Sequence, residues 1–139
     1  MSYNKIRKYG NKKVESHGLK FDSKLELYCY NLFKDNGFDF EFQKTITLIN
    51  KFKYNGESIR AITMIVDFVI HHMGIDLYID SKGFPTEVSK IKYKMLKNQL
   101  KEEPNTEVLW LKSQKQAIQF INNLKERKDE HSKQSYIAW

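Results

Sequence analysis

Three short stretches carry side chains able to do chemistry together: Asp80-Ser81-Lys82 at the end of "GIDLYIDSKG", Asp67 within "IVDFVI", and Glu26 within "FDSKLE". In the first, Ile75, Leu77 and Ile79 alternate with Asp76, Tyr78, Asp80 and Lys82, the period of two that gives a strand one apolar and one polar face. If "VIHHMGID" closes as a tight hairpin with Met73 and Gly74 at its tip, opposed residue numbers sum to a constant, and Asp67 falls across from Asp80. His71 then faces Asp76 and Val69 faces Tyr78, while Val66, Phe68, Ile70, Leu77 and Ile79 form the reverse, core-facing surface.

Two carboxylates directly across an antiparallel pair repel unless something positive sits between them. A divalent cation meets that need, and Lys82, two residues beyond Asp80, projects from the same face. Mg²⁺ favours a few carboxylates, several waters and substrate phosphate oxygens. Such a cation lowers the pKa of its water and neutralises charge on a phosphate, with a neighbouring lysine assisting, which is the chemistry of phosphodiester hydrolysis. The plain alternative is a solvated strand end, since a slip of one residue in the turn would put Asp67 and Asp80 on opposite faces.

The elements that must hold these residues can be read around them. "KVESHGLKF" predicts a small hairpin turning at His17 and Gly18. "DSKLELYCYNLFKDNG" predicts a helix, with Leu25, Tyr28, Cys29, Leu32 and Phe33 at helical spacing, a start signal at Ser23 and a stop at Asn36 and Gly37. "FDFEFQKTITLI" alternates as a strand, "NKFKYNGES" turns, and the β-branched run "IRAITMIVDFVIHH" predicts a central strand. A helix from Thr86 to Lys101 presents Val88, Ile91, Met95 and Leu96 inwards, "PNTEVLWL" adds a strand, and "SQKQAIQFINNLKERK" ends the domain with Ala117, Ile118, Ile121 and Leu124 inside. This order gives an α/β fold with a mixed central β-sheet flanked by helices.

A chain of 139 residues that is 40% hydrophobic and 14% aromatic has enough apolar surface for one compact domain with a core. The expected division is a basic N-terminal lead over 1–12, a single domain over 13–127 and a C-terminal tail over 128–139. With 24 Lys and Arg against 17 Asp and Glu, the net charge of +7 points to an anionic partner, nucleic acid ahead of membrane. One cysteine, Cys29, excludes an internal disulfide and suits a reducing cytoplasm, and no run approaches the ~18 apolar residues of a membrane span. His71 and His72 are adjacent, hence on opposite strand faces, and no second Cys exists to complete a zinc site.

The three chemical stretches, in this order and at these intervals, resemble the PD-(D/E)XK nuclease superfamily. "FDSKLE", "IVDFVI" and "IDSKG" together look most like small phage-encoded nucleases of this type, and more distantly like Holliday junction resolvases and transposon-end-cleaving nucleases. The resemblance spans roughly Lys13 to Leu111. It implies a restriction-endonuclease-like fold and a metal-dependent DNA endonuclease acting on branched or junction DNA in phage or mobile-element recombination, replication or DNA processing. By that analogy Asp67 and Asp80 bind Mg²⁺ or Mn²⁺, Lys82 orients or activates the attacking water, and Glu26 completes the site. Val66 stands where the superfamily has proline, a departure that removes no chemical group. Glu26 has a second reading, because Ser23-Lys24-Leu25-Glu26 is also a capping box in which its carboxylate turns back to the helix start.

Lys90, Lys94, Lys97 and Lys101 recur at helical spacing, and of these Lys90 and Lys94 are the expected DNA contacts. Gln43 is a further candidate for the substrate or the site, with an ordinary exposed glutamine as the alternative. Lys12 and Lys13, with Lys5, Arg7 and Lys8, form a second basic segment in which Tyr3 and Tyr9 are placed to stack on an unpaired base. Junction resolution needs paired cuts and so implies a homodimer. The expected setting is the cytoplasm, that of the bacterial host if the protein is phage-encoded. Two other function classes stay open: a non-catalytic DNA-binding module, and a protein-interaction factor that docks through Tyr136-Ile137-Ala138-Trp139.

Overall fold

The computed structural model describes residues 13–16 and 18–127. The basic lead with Lys12, His17 at the first turn, and the tail from 128 onwards lie outside the described residues.

Val14–Ser16 (β1) and Leu19–Phe21 (β2) pair antiparallel around Gly18, whose φ of +74° suits a residue without a Cβ. Lys24–Asp35 (α1) starts at Ser23, whose side chain accepts from the Glu26 N–H, and stops at Asn36 before Gly37. Asp39–Ile49 (β3) follows, and then the segment expected to be a plain turn forms a hairpin of Phe52–Tyr54 (β4) and Glu57–Ile59 (β5). Its tip is Asn55-Gly56 with both residues at positive φ, the turn chemistry that a two-residue hairpin requires. Ile62–His72 (β6) and Ile75–Ser81 (β7) come next, followed by Glu87–Leu100 (α2), Thr106–Leu111 (β8) and Gln114–Glu126 (α3).

The main sheet has the order β3-β6-β7-β8, antiparallel between β3, β6 and β7 and parallel between β7 and β8. A parallel pair needs a crossover, and α2 supplies it. One face of the sheet is covered by α1 and α3, where Cys29, Phe33, Ala117, Phe120 and Leu124 pack on Phe68, Ile70, Leu77 and Ile79. The other is covered by α2, where Tyr93 and Leu96 pack on Val66, Val69 and Val108. The result is a mixed α/β fold of the restriction-endonuclease-like kind, as the residue pattern and the resemblance implied.

Two corrections concern faces. Val88 and Ile91 of α2 and Ile118 of α3, expected inside, are exposed, whereas Leu96 is buried as expected and is joined by Tyr93 on α2 and Phe120 on α3. On that face of α2 the Tyr93 ring packs against Trp110, in one cluster with Val69 and Val108. Val66, expected on the same surface as Phe68, belongs to the α2 side with Met64.

That second displacement has a local cause. Phe42 pairs with Phe68 and Lys44 with Val66, so Gln43 and Asp67 oppose one another where the ladder is interrupted, and Gln43 adopts φ +56°. Phe40 and Phe42 lie on the α1 side, whereas Ile46 lies on the α2 side. In a regular strand these even-numbered positions would share a face. Both strands therefore exchange faces at Gln43 and Asp67, an irregularity of the sort that re-aims side chains beside functional sites.

Candidate metal centre

The face exchange decides where Asp67 points. With Val69 on the α2 side, regular alternation would send Asp67 there too, away from α1. Instead its carboxyl hydrogen-bonds Glu26 of α1, and its Oδ2 accepts from the Ser81 backbone N–H at 2.8 Å and from the Ser81 hydroxyl at 2.9 Å. The expected hairpin register holds: Phe68 pairs with Ile79, Val69 with Tyr78 and His71 with Asp76. One step further, the Asp67 N–H donates to Asp80 Oδ1 at 3.2 Å. Asp80 stands in register with Trp110, and its Oδ2 lies 3.5 Å from the Lys82 ammonium. The two aspartates are thus neighbours across the strand pair, close enough that Asp67 acts on the Asp80 carboxyl.

Glu26 makes the helix cap that its sequence context allowed, and its carboxyl also faces Asp67. Its Oε1 accepts from the Asp22 N–H, one residue ahead of the usual capping-box partner, while its own N–H donates to Ser23 Oγ at 3.1 Å. The same carboxyl group, fully buried, also hydrogen-bonds Asp67. Gln43 joins them, its amide donating to Lys20 O at 3.1 Å and lying 3.5 Å from Glu26 Oε2. Its left-handed backbone and its side chain therefore both belong to the site.

Asp22, at the first position of "DSKLE", is the residue that the sequence reading passed over. One carboxylate oxygen each from Asp22, Glu26 and Asp67 lies within 4.8 Å of the others. The signal was present: the residue ahead of an N-cap serine stands next to the helix start, where Glu26 also returns. Lys13 is placed at the rim, with its ammonium 3.2 Å from Asp22 Oδ1. Lys90 and Lys94 are not brought to these carboxylates. They lie exposed on α2, where Lys90 pairs with Glu87 at 3.2 Å.

Burial and mutual repulsion set the ionisation of the group. Asp67 is pushed up to about 7 by burial and then by the charge of Glu26. Asp80 is likewise pushed up to about 7 by burial and then by Asp67. Glu26 is raised by burial. Lys82 is raised overall, because although burial works against its charge, Asp80 and Asp67 favour it. Burial, with Asp67 and Glu26 close by, pushes the Cys29 thiol up to about 12, which leaves it inert at neutral pH. Without a cation, Asp67 and Asp80 hold protons near neutrality. This is the state expected of hard oxygen donors gathered more closely than their charges tolerate.

That donor set fits Mg²⁺ or Mn²⁺: all oxygen, several carboxylates, and open space beside them for water and phosphate. The space is a cavity of about 530 Å³ whose walls include Asp22, Glu26, Asp67, Lys82, Phe84 and Lys112. Among the described residues no helix is long and apolar enough to cross a membrane.

Compared with known proteins, residues 6–119 match the family model described as "Protein of unknown function (DUF1064)". No curated protein and no solved structure matches the chain.

Proposed function

We propose that this chain, which belongs to the DUF1064 family, is a metal-dependent DNA endonuclease of the PD-(D/E)XK kind. The observation that carries the reading is the junction of three elements at one point: Glu26 from α1, Asp67 from β6, and Asp80 with Lys82 at the end of β7, with Glu26, Asp67 and Lys82 lining one cavity.

Asp22, Glu26 and Asp67, with Asp80 adjoining, would hold Mg²⁺ or Mn²⁺. Bound there, the cation supplies an activated water and charge neutralisation on a phosphate. The protein's own contribution is orientation. Ser81 fixes the Asp67 carboxylate through two hydrogen bonds, and the helix cap fixes Glu26, so neither needs to reorganise when substrate arrives. Lys82 stays an ammonium at neutral pH because Asp80 and Asp67 favour its charge. It is therefore suited to orient a water and to stabilise negative charge building on the phosphate, and less suited to take a proton. Asp80 holds that ammonium at the mouth of the site.

The substrate we favour is branched DNA, cut by a homodimer if both strands of a junction are to be cleaved. The experiment is cleavage of a four-way junction, a fork and a linear duplex of matched sequence with Mg²⁺, Mn²⁺ or EDTA. Cuts that require metal and vanish in Asp80→Ala and Lys82→Ala support the reading. DNA bound in a salt-dependent way but left intact under every condition would replace it with a non-catalytic DNA-binding module.

A further inference from the structure

On the other side of the Asp80 strand end lies a second concavity, a groove of about 480 Å³ between α2 and β8. Its walls carry Lys90, Lys94 and Lys97 from α2 and Lys112 from just beyond β8, around a floor that includes Tyr93 and Trp110. Lys94, Lys97 and Lys112 are exposed and form no ion pair among the described residues. Trp110 stands beside Asp80 in the parallel register, and its ring lies 4.4 Å from that of Tyr93. Its indole N–H is enclosed without a hydrogen-bond acceptor among the described residues. Lys112 borders both this groove and the cavity over the carboxylates.

We infer that the groove between α2 and β8 binds a single strand of nucleic acid and leads it past Lys112 to the carboxylate site. The inference rests on the nuclease reading and adds to it the kind of substrate: DNA with an unpaired strand next to the point of cleavage. Cations that track phosphates beside a partly exposed Trp110 ring are the chemistry of single-strand binding. The groove's volume of about 480 Å³ is that of a small-ligand pocket, enough to seat a few nucleotides of one strand. A solvated lysine stripe would need only one helix, whereas here Lys112 and Trp110 come from a different element and close the other wall.

The test uses the Trp139→Phe protein, in which Trp110 is the remaining tryptophan, titrated in EDTA with a twelve-residue oligothymidylate and with a blunt duplex of equal length. The oligothymidylate should change Trp110 fluorescence, and the duplex should compete poorly. Lys94→Glu/Lys97→Glu should weaken binding about tenfold or more and lower the salt slope by about 2, with Lys94→Gln/Lys97→Gln intermediate. Both pairs are exposed, and unchanged melting temperatures show that they fold. Unaltered affinity in these variants, or equal affinity for duplex, overturns the groove. Lys82→Ala should keep the fluorescence change and lose cleavage. Wild-type cleavage without the fluorescence change removes the groove alone, and the fluorescence change without wild-type cleavage removes the nuclease reading alone.

Discussion

Ser81 holds Asp67 by two hydrogen bonds to the same oxygen, at 2.8 Å from its backbone N–H and 2.9 Å from its hydroxyl. The residue between Asp80 and Lys82 is thus the one that fixes the carboxylate on the neighbouring strand. Ser81→Ala removes the hydroxyl bond and leaves the backbone bond. It should cost about 1 kcal/mol of stability by denaturant unfolding. Cleavage should fall in kcat with KM little changed, because an orienting contact is lost and DNA contacts are not. A change in KM alone would assign Ser81 to substrate binding.

The two duties of Glu26 can be separated. Glu26→Gln keeps an acceptor for the Asp22 N–H and should fold with near-normal stability while losing cleavage. Glu26→Ala removes the cap as well and should cost a further ~1 kcal/mol or more. Equal melting temperatures for the two variants would show that the cap contributes nothing.

Stability of the metal-free protein should fall as pH rises. Asp67 and Asp80 hold protons up to about 7 in the folded state, against ~4 for a carboxyl group in the unfolded chain. The stability from those protons is fully present below ~4 and is lost as pH passes through about 7, a change on the order of a few kcal/mol for the coupled pair. Thermal unfolding in EDTA should therefore show a lower midpoint at pH 8.5 than at pH 6. Asp67→Asn/Asp80→Asn should flatten the profile, and Mg²⁺ should raise the midpoint more at the higher pH. A Mg²⁺ shift of equal size at both values would contradict coupling between cation and protons.

His71 supplies an internal control. It lies between Glu41 at 2.8 Å and Asp76 at 2.7 Å, and hydrogen bonds to both, Asp76 first, raise its pKa. Its contribution is present below the ordinary histidine value and is lost as pH rises through the raised one. An NMR titration should place it above ~6.5, the value for free histidine. His71→Gln should leave cleavage unchanged, since the ring lies with Glu41 and Asp76 and not with Glu26 or Asp67.

Most of the scaffold around the site was legible in local patterns. The Met73-Gly74 tip fixed the register that brings Asp67 to Asp80, and Ser23 marked the start of α1. Asp22 was hidden because its role arises only when β6 is laid against α1 in three dimensions. The side to which Asp67 turns was hidden for another reason. Strict alternation assigns it to the α2 side, and the interruption opposite Gln43 leaves no mark in a strand pattern that otherwise runs from Phe38 to Ile49. Val88 and Ile91 misled because two apolar residues at helical spacing do not fix a face: Leu96 was rightly placed inside, but Tyr93 and not they completes its buried side.

The central claim is that Glu26, Asp67, Asp80 and Lys82 form one metal-dependent hydrolytic site. The most direct measurement is cleavage of a four-way junction, a fork and a linear duplex by wild type, Asp80→Ala and Lys82→Ala, each with Mg²⁺, Mn²⁺ and EDTA. Metal-dependent cuts by wild type alone, with DNA binding retained in both variants, are predicted. Wild type that cuts none of the three DNAs with either metal while binding them as tightly as the variants would contradict it.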